Sequence, residues 1–252
     1  MKTHEGGMAR GAAGFVVASV AWAAGGMAPM CAQEGIMRPA TVAPPQPPFI
    51  ALESLDLAKL VPPPPAAGSA AAQAELATVL QAQAKRTEAD IAWAKLVEKD
   101  NVFYHASVLG AWFTRENLPR TAALFARLES TVRALDAASK KLFPRPRPSA
   151  VSAEVQPCVT VPKSDSYPSG GAAQAQAWAR LLAEIFPAKR AALLERAERV
   201  GWSRVVGGVH FPSDVAAGRV LGDALAVELL KNAEFRAAFE ECRREMAAVA
   251  AK

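Results

Sequence analysis

The sequence predicts an all-α fold, a single compact helical domain behind a Pro-rich N-terminal arm. Three observations predict it. From Ala66 onward the chain is dominated by Ala, Leu, Glu, Gln and Lys, all strong helix formers. Clusters of Pro and Gly punctuate that composition, notably Pro144-Arg145-Pro146-Arg147-Pro148 and Tyr167-Pro168-Ser169-Gly170-Gly171. Alternation of Val, Ile and Thr never lasts long enough for a sheet.

The elements follow in order. Residues 1–32 read as a secretory signal: Lys2 and Arg10 give a positive start, and the apolar run from Ala12 to Ala24 has the length of an h-region. A bilayer span needs about 20 apolar residues. This run is shorter and is followed by Gly25-Gly26, so a cleaved signal is favoured over an anchor. Cys31 stands near the cleavage region, but Ala28-Pro29-Met30 before it makes a poor lipobox. The expected mature protein is soluble, without a stable membrane span, and periplasmic or secreted. Residues 33–68 form the arm, whose Pro-rich runs read as extended chain and not as a core element. Residues 69–252 form the helical domain, with helices near 69–85, 87–99, 102–114, 118–140, 171–184, 188–200, 212–231 and 233–249.

Composition bounds the function. The chain has 252 residues, 51% of them hydrophobic and 21% charged, which excludes a disordered chain. With 29 Lys and Arg against 24 Asp and Glu, the net charge is +5. Removing residues 1–32 takes away Lys2, Arg10 and Glu5 and leaves +4. That mild excess suits an anionic ligand, and no Lys/Arg block marks a nucleic-acid arm. Three Cys exclude a disulfide-dense miniprotein. Without the signal, Cys158 and Cys242 remain; one disulfide and two buried thiols are both open readings. The oligomeric state is open too, a homo-oligomer included.

Three loop-to-helix junctions concentrate chemistry. The first carries Lys140, Lys141, Arg145 and Arg147 at the end of a long helix. Cations there also complement a helix dipole without any ligand. The second, Ser169-Gly170-Gly171, opens a helix and lets an anion approach backbone N–H groups. The third runs from Ser203-Arg204 through His210 to Asp214. A carboxylate four residues beyond a His can hold one ring nitrogen and leave the other as nucleophile or base. His105, on an apolar helical pattern, reads as structural.

Taken together, Lys140-x6-Arg147-Pro148, Pro168-Ser169-Gly170 and Ser203-Arg204-x5-His210-x3-Asp214 resemble the three-part signature of the type-2 phosphatidic acid phosphatase superfamily. That superfamily also holds the vanadium haloperoxidases. The stretches at 60–69 and 213–220 are similar to bacterial class A non-specific acid phosphatases. The resemblance implies metal-free hydrolysis of small phosphate monoesters through a phosphohistidine, with no cofactor. It makes His210 the nucleophile and Asp214 its support. Lys140, Arg147, Ser169, Gly170 and Arg204 become the phosphate-binding residues. Cations and N–H donors are what a phosphoryl group in transfer requires.

One position departs from the pattern. The family motif reads Pro-Ser-Gly-His, and here its fourth position is Gly171. The resemblance makes that His the general acid, and a positioned general acid is worth about 10²–10⁴ in rate. Three readings result. The first is a weakened phosphatase that draws its proton from water, Lys163, Asp165 or Tyr167. The second is a phosphate-binding relative with little turnover, and the third is a vanadate-dependent peroxidase. The acid-phosphatase-like surroundings rank the peroxidase last.

Overall fold

Caps written into the sequence start the helices. In the computed structural model, which describes residues 48–51, 55–99 and 101–251, a short helix α1 (Leu57–Leu60) precedes α2 (Ala70–Lys85). The Ser69 hydroxyl caps α2 by accepting from the Ala72 amide. A capping box between Thr87 and Asp90 opens α3 (Glu88–Leu96). After α4 (Ala106–Leu109), Pro119 stands in the first turn of α5 (Pro119–Leu142). Then come α6 (Pro148–Val151), α7 (Gly170–Ile185), α8 (Arg190–Val206), α9 (Pro212–Lys231) and α10 (Ala233–Ala250). No strand occurs among the described residues, so the all-α expectation holds. The signal segment 1–32 and arm residues 33–47 lie outside the described residues.

Three expectations need correction. The helix expected over 102–114 is a 3₁₀ turn (Val102–His105) followed by α4, and it ends at Gly110, whose φ of 115° few other residues adopt. The helix expected to stop at residue 200 runs on to Val206. Gly201 lies inside it and is a contact point, since a Cβ there would lie 2.8 Å from Val215 Cγ1 of α9. The arm read as non-core supplies Phe49, Ile50, Leu55, Leu57 and Val61 to the main hydrophobic core. Those apolar residues lie between the Pro runs, and their burial offsets the cost of ordering them.

At the centre stands α7, with Ala177, Trp178, Ala179, Leu181 and Leu182 all fully buried. It can be crossed this closely because α9 presents Gly218 and Gly222. A Cβ at these positions would lie 2.3 Å from the Ser169 carbonyl oxygen and 2.4 Å from that of Ala173. The Ser169 amide also donates to the Asp214 carbonyl at 2.9 Å. The start of α7 is thereby locked to the start of α9. Cys158 and Cys242 are both free thiols, which closes the disulfide alternative. Burial pushes the Cys242 thiol up to about 11.

Candidate active site

The three junctions of the sequence meet at one cavity of about 540 Å³. Lys140 comes from the last turn of α5, Arg147 from the residue capping α6, and Gly170 and Gly171 from the first turn of α7. Arg204 comes from the last turn of α8, and His210 from the loop into α9. All six line the cavity. Ser169 and Asp214 lie directly behind this wall and are fully buried. The Ser169 hydroxyl serves as the α7 cap, accepting from the Ala172 amide at 3.3 Å.

His210 is held from both sides. Its Nδ1 lies 3.3 Å from Asp214 Oδ2 and its Nε2 3.3 Å from an Arg147 terminal nitrogen. Arginine only donates, so Nε2 accepts, and the ring proton sits on Nδ1 facing the carboxylate. The lone pair on Nε2 is thus directed at Arg147, and both residues line the cavity. Burial pulls the imidazole down to about 4, against the opposing pull of Asp214, so the ring is neutral at mildly acidic and neutral pH.

Asp214 is fixed by more than the histidine. Its Oδ2 accepts from Ser166 Oγ at 2.5 Å and from the Phe211 amide at 2.8 Å. Its Oδ1 accepts from Arg145 at 2.6 Å. Burial alone would raise this carboxyl; hydrogen bonds from His210 and Ser166 and the Arg145 charge outweigh it and hold it below the usual carboxylate value. Arg145 continues to Glu75 Oε2 on α2 at 2.7 Å and lies 4.0 Å over the Phe211 ring. Glu75 also accepts from the Ser213 amide and hydroxyl at 2.6 and 2.9 Å.

The cations differ in how they are engaged. Arg147 is clamped by the carbonyls of Ser164, Val209 and Asp165, with donor distances of 2.8, 2.8 and 3.0 Å. Lys140 donates to the Pro168 carbonyl at 2.6 Å and pairs with Asp136 at 3.1 Å. Arg204 differs: its buried NH1 has no hydrogen-bond partner among the described residues. A buried unpaired guanidinium nitrogen is costly, and here it lines a cavity whose other polar walls include Lys140 and Arg147.

Sequence reasoning had passed over four residues of this web. Arg145 was visible inside the first junction, and Asp136 precedes Lys140 by one helical turn, a pairing readable from spacing. Ser166 and Glu75 carried no signal, because their partners Asp214 and Ser213 lie far along the chain. The candidate proton sources fare differently. Tyr167 is buried with its hydroxyl donated to the Pro62 carbonyl, and it is pushed up to about 12 by burial. Lys163 and Asp165 are exposed and do not line the cavity.

The sequence profile described as the PAP2 superfamily matches residues 122–237. Those residues are similar to a PAP2-superfamily domain. Every cavity residue named above falls inside this matched stretch, whereas Glu75 and the buried arm residues lie outside it. A non-specific acid phosphatase from Providencia stuartii is 38% identical over 85 residues, 34% of this chain and 34% of that one. An acid phosphatase from Zymomonas mobilis subsp. mobilis is 38% identical over 84 residues, 33% of this chain and 32% of that one. The chain thus spans about a third of the length of these relatives. The crystal structure of the first transmembrane PAP2-type phosphatidylglycerolphosphate phosphatase from Bacillus subtilis is also similar. It is 24% identical, with a TM-score of 0.46, over 64% of this chain and 85% of that chain. No helix among the described residues of the present chain is long and apolar enough to cross a membrane.

Proposed function

We propose that this protein is an exported acid phosphatase that hydrolyses small phosphate monoesters through a phosphohistidine on His210. The observation that carries the reading is the unpartnered Arg204 NH1, buried in one cavity with Lys140, Arg147, the first α7 amides and His210. A phosphoryl group supplies acceptor oxygens to this donor and to the Gly170 and Gly171 amides that open α7. Acid phosphatases among the relatives support the same reaction class.

In this reading Lys140, Arg147 and Arg204 hold the phosphoryl oxygens, with Gly170 and Ser169 shaping the cradle. The Nε2 lone pair of His210 attacks phosphorus while the bond to the ester oxygen breaks. Asp214 keeps the Nδ1 proton and stabilises the positive charge that develops on the ring. Water then attacks phosphorus and returns the electron pair to Nε2. Arg147 turns the N–H that held Nε2 to the phosphoryl oxygens, and the cations neutralise charge in both halves.

Gly171 favours a second reading, a phosphate-binding relative with weak turnover. A Cβ at Gly171 would meet only Arg204 Cδ, at 4.0 Å, so the position is vacant in space as well as in chemistry. Turnover of 4-nitrophenyl phosphate decides between the readings. The proposal expects the parent to turn over and His210→Ala to lose activity. Phosphate or vanadate binding with a silent parent, and activity gained by Gly171→His, would favour the binding protein. Halide oxidation with vanadate and peroxide would point to the peroxidase instead.

A further inference from the structure

We infer that Asp136 supplies the leaving-group proton that residue 171 lacks. This rests on the phosphatase reading above. Three carboxylates line the cavity, Glu98, Glu129 and Asp136. Glu129 pairs with Arg133. Among the described residues Asp136 alone forms an ion pair with a cradle cation, Lys140 at 3.1 Å. Its carboxylate packs against the first residue of α7, where a Cβ on Gly170 would lie 2.6 Å from Oδ1 and 2.7 Å from Cγ. It therefore stands at the same helix end as the vacant position 171, lining the cavity with its side chain 26% exposed.

The surroundings suit an acid. Burial raises the Asp136 carboxyl, against Lys140 on its own helix and Arg147 from the start of α6. Arg204 and His210 line the same cavity, and α7 faces it with the uncharged Gly170, Gly171 and Gln174. An incoming phosphate claims the charge of Lys140, which is what favours the ionised carboxyl in the empty site. Substrate binding then drives a proton onto Asp136.

The proton inventory closes. As the His210 Nε2–phosphorus bond forms and the phosphorus–oxygen bond breaks, the electron pair leaves on the ester oxygen. That oxygen takes the Asp136 proton and departs as the alcohol. In the second half the Asp136 carboxylate removes a proton from the attacking water. The phosphorus–nitrogen bond breaks, and the acid is restored.

The experiment compares glycerol 2-phosphate, whose alkoxide must be protonated, with 4-nitrophenyl phosphate, whose phenolate leaves unaided. Asp136→Asn is expected to lower kcat for the alkyl ester by about 10²–10³-fold and for the aryl ester by less than about tenfold. It also removes the alkaline fall of the alkyl-ester kcat that deprotonation of Asp136 causes. Asp136→Glu keeps much of the alkyl activity, and Gly171→His in the Asp136→Asn background restores it. Equal losses on both esters with raised KM would overturn the inference and leave Asp136 as a holder of Lys140. A gain in phosphate affinity without leaving-group dependence would overturn it as well, with Asp136 acting as a competing anion. If the parent turns over neither ester, or His210→Ala stays active, the phosphatase reading fails and the inference with it.

Discussion

Arg204 shows how one side chain separates a ligand site from a fold contact. Its NH1 is buried but bonded to nothing in the described protein, so removing it deletes no hydrogen bond of that nitrogen. Arg204→Ala is expected to cost about 10²–10³ in kcat, the effect of losing one preorganised donor to a developing charge. The melting temperature should change little, because NH1 has no hydrogen bond to lose and burial of the guanidinium disfavours its charge. Kinetics beside a thermal melt check this; loss of stability in parallel with activity would assign Arg204 to the fold.

Histidine behaviour sets the acid sensitivity at the same scale. Burial pulls His105 down to about 3, helped by Arg196, and pulls His210 down to about 4. Unfolded histidine titrates near 6.5. Below about pH 6.5 the unfolded chain therefore binds protons that the folded one refuses, and stability falls down to about pH 3–4. The depressed Asp214 carboxyl acts in the same direction as pH falls. Neither ring nitrogen of His105 has a hydrogen-bond partner among the described residues. His105→Phe should shrink the difference in melting temperature between pH 7 and pH 4.5, a comparison in which an unchanged difference would count against the assignment.

Helix packing decides whether the site residues meet. Where α9 crosses α7, Gly218 and Gly222 face backbone oxygens, and these cannot swing away like a side chain. Gly218→Ala must push the Ser169 carbonyl, with Gly170 beside it. A loss of about 1–3 kcal/mol in stability is expected from such overpacking, with lower turnover as the α7 start shifts. Gly171 is the contrast on the adjacent helix turn, open on the side where a Cβ would point. Urea melts of Gly218→Ala and Gly171→His should show a large and a small change, respectively. Equal changes would mean the crossing is looser than its geometry.

Across the whole molecule, the support of His210 reaches back to α2. Glu75 and Arg145 have side chains only 14% and 9% exposed, and Asp214 beyond them is fully buried. Glu75→Gln leaves Arg145 and Ser213 short of a charged partner and should destabilise by about 1–3 kcal/mol. Turnover should fall with kcat more than KM, since Asp214 loses its orientation while the phosphate cations stay in place. An unchanged kcat in Glu75→Gln would detach α2 from the site.

The sequence by itself determined the helices and the chemistry of the wall. Caps such as Ser69, Thr87 and Asp90 and first-turn prolines act within one or two turns, so local order reveals them. Lys140, Arg147, Gly170, Arg204 and His210 were singled out by the family resemblance that their spacing carries, and they line one cavity. Only the tertiary structure decided that Ser169 caps α7 from behind the wall and that Glu75 anchors Arg145. It also decided that Asp136 closes against Gly170, that Gly201 lies inside a helix, and that Phe49 and Ile50 belong to the core. Such pairings join segments far apart in the chain. Their energies depend on burial and on the few ångströms between packed helices, which residue order does not carry.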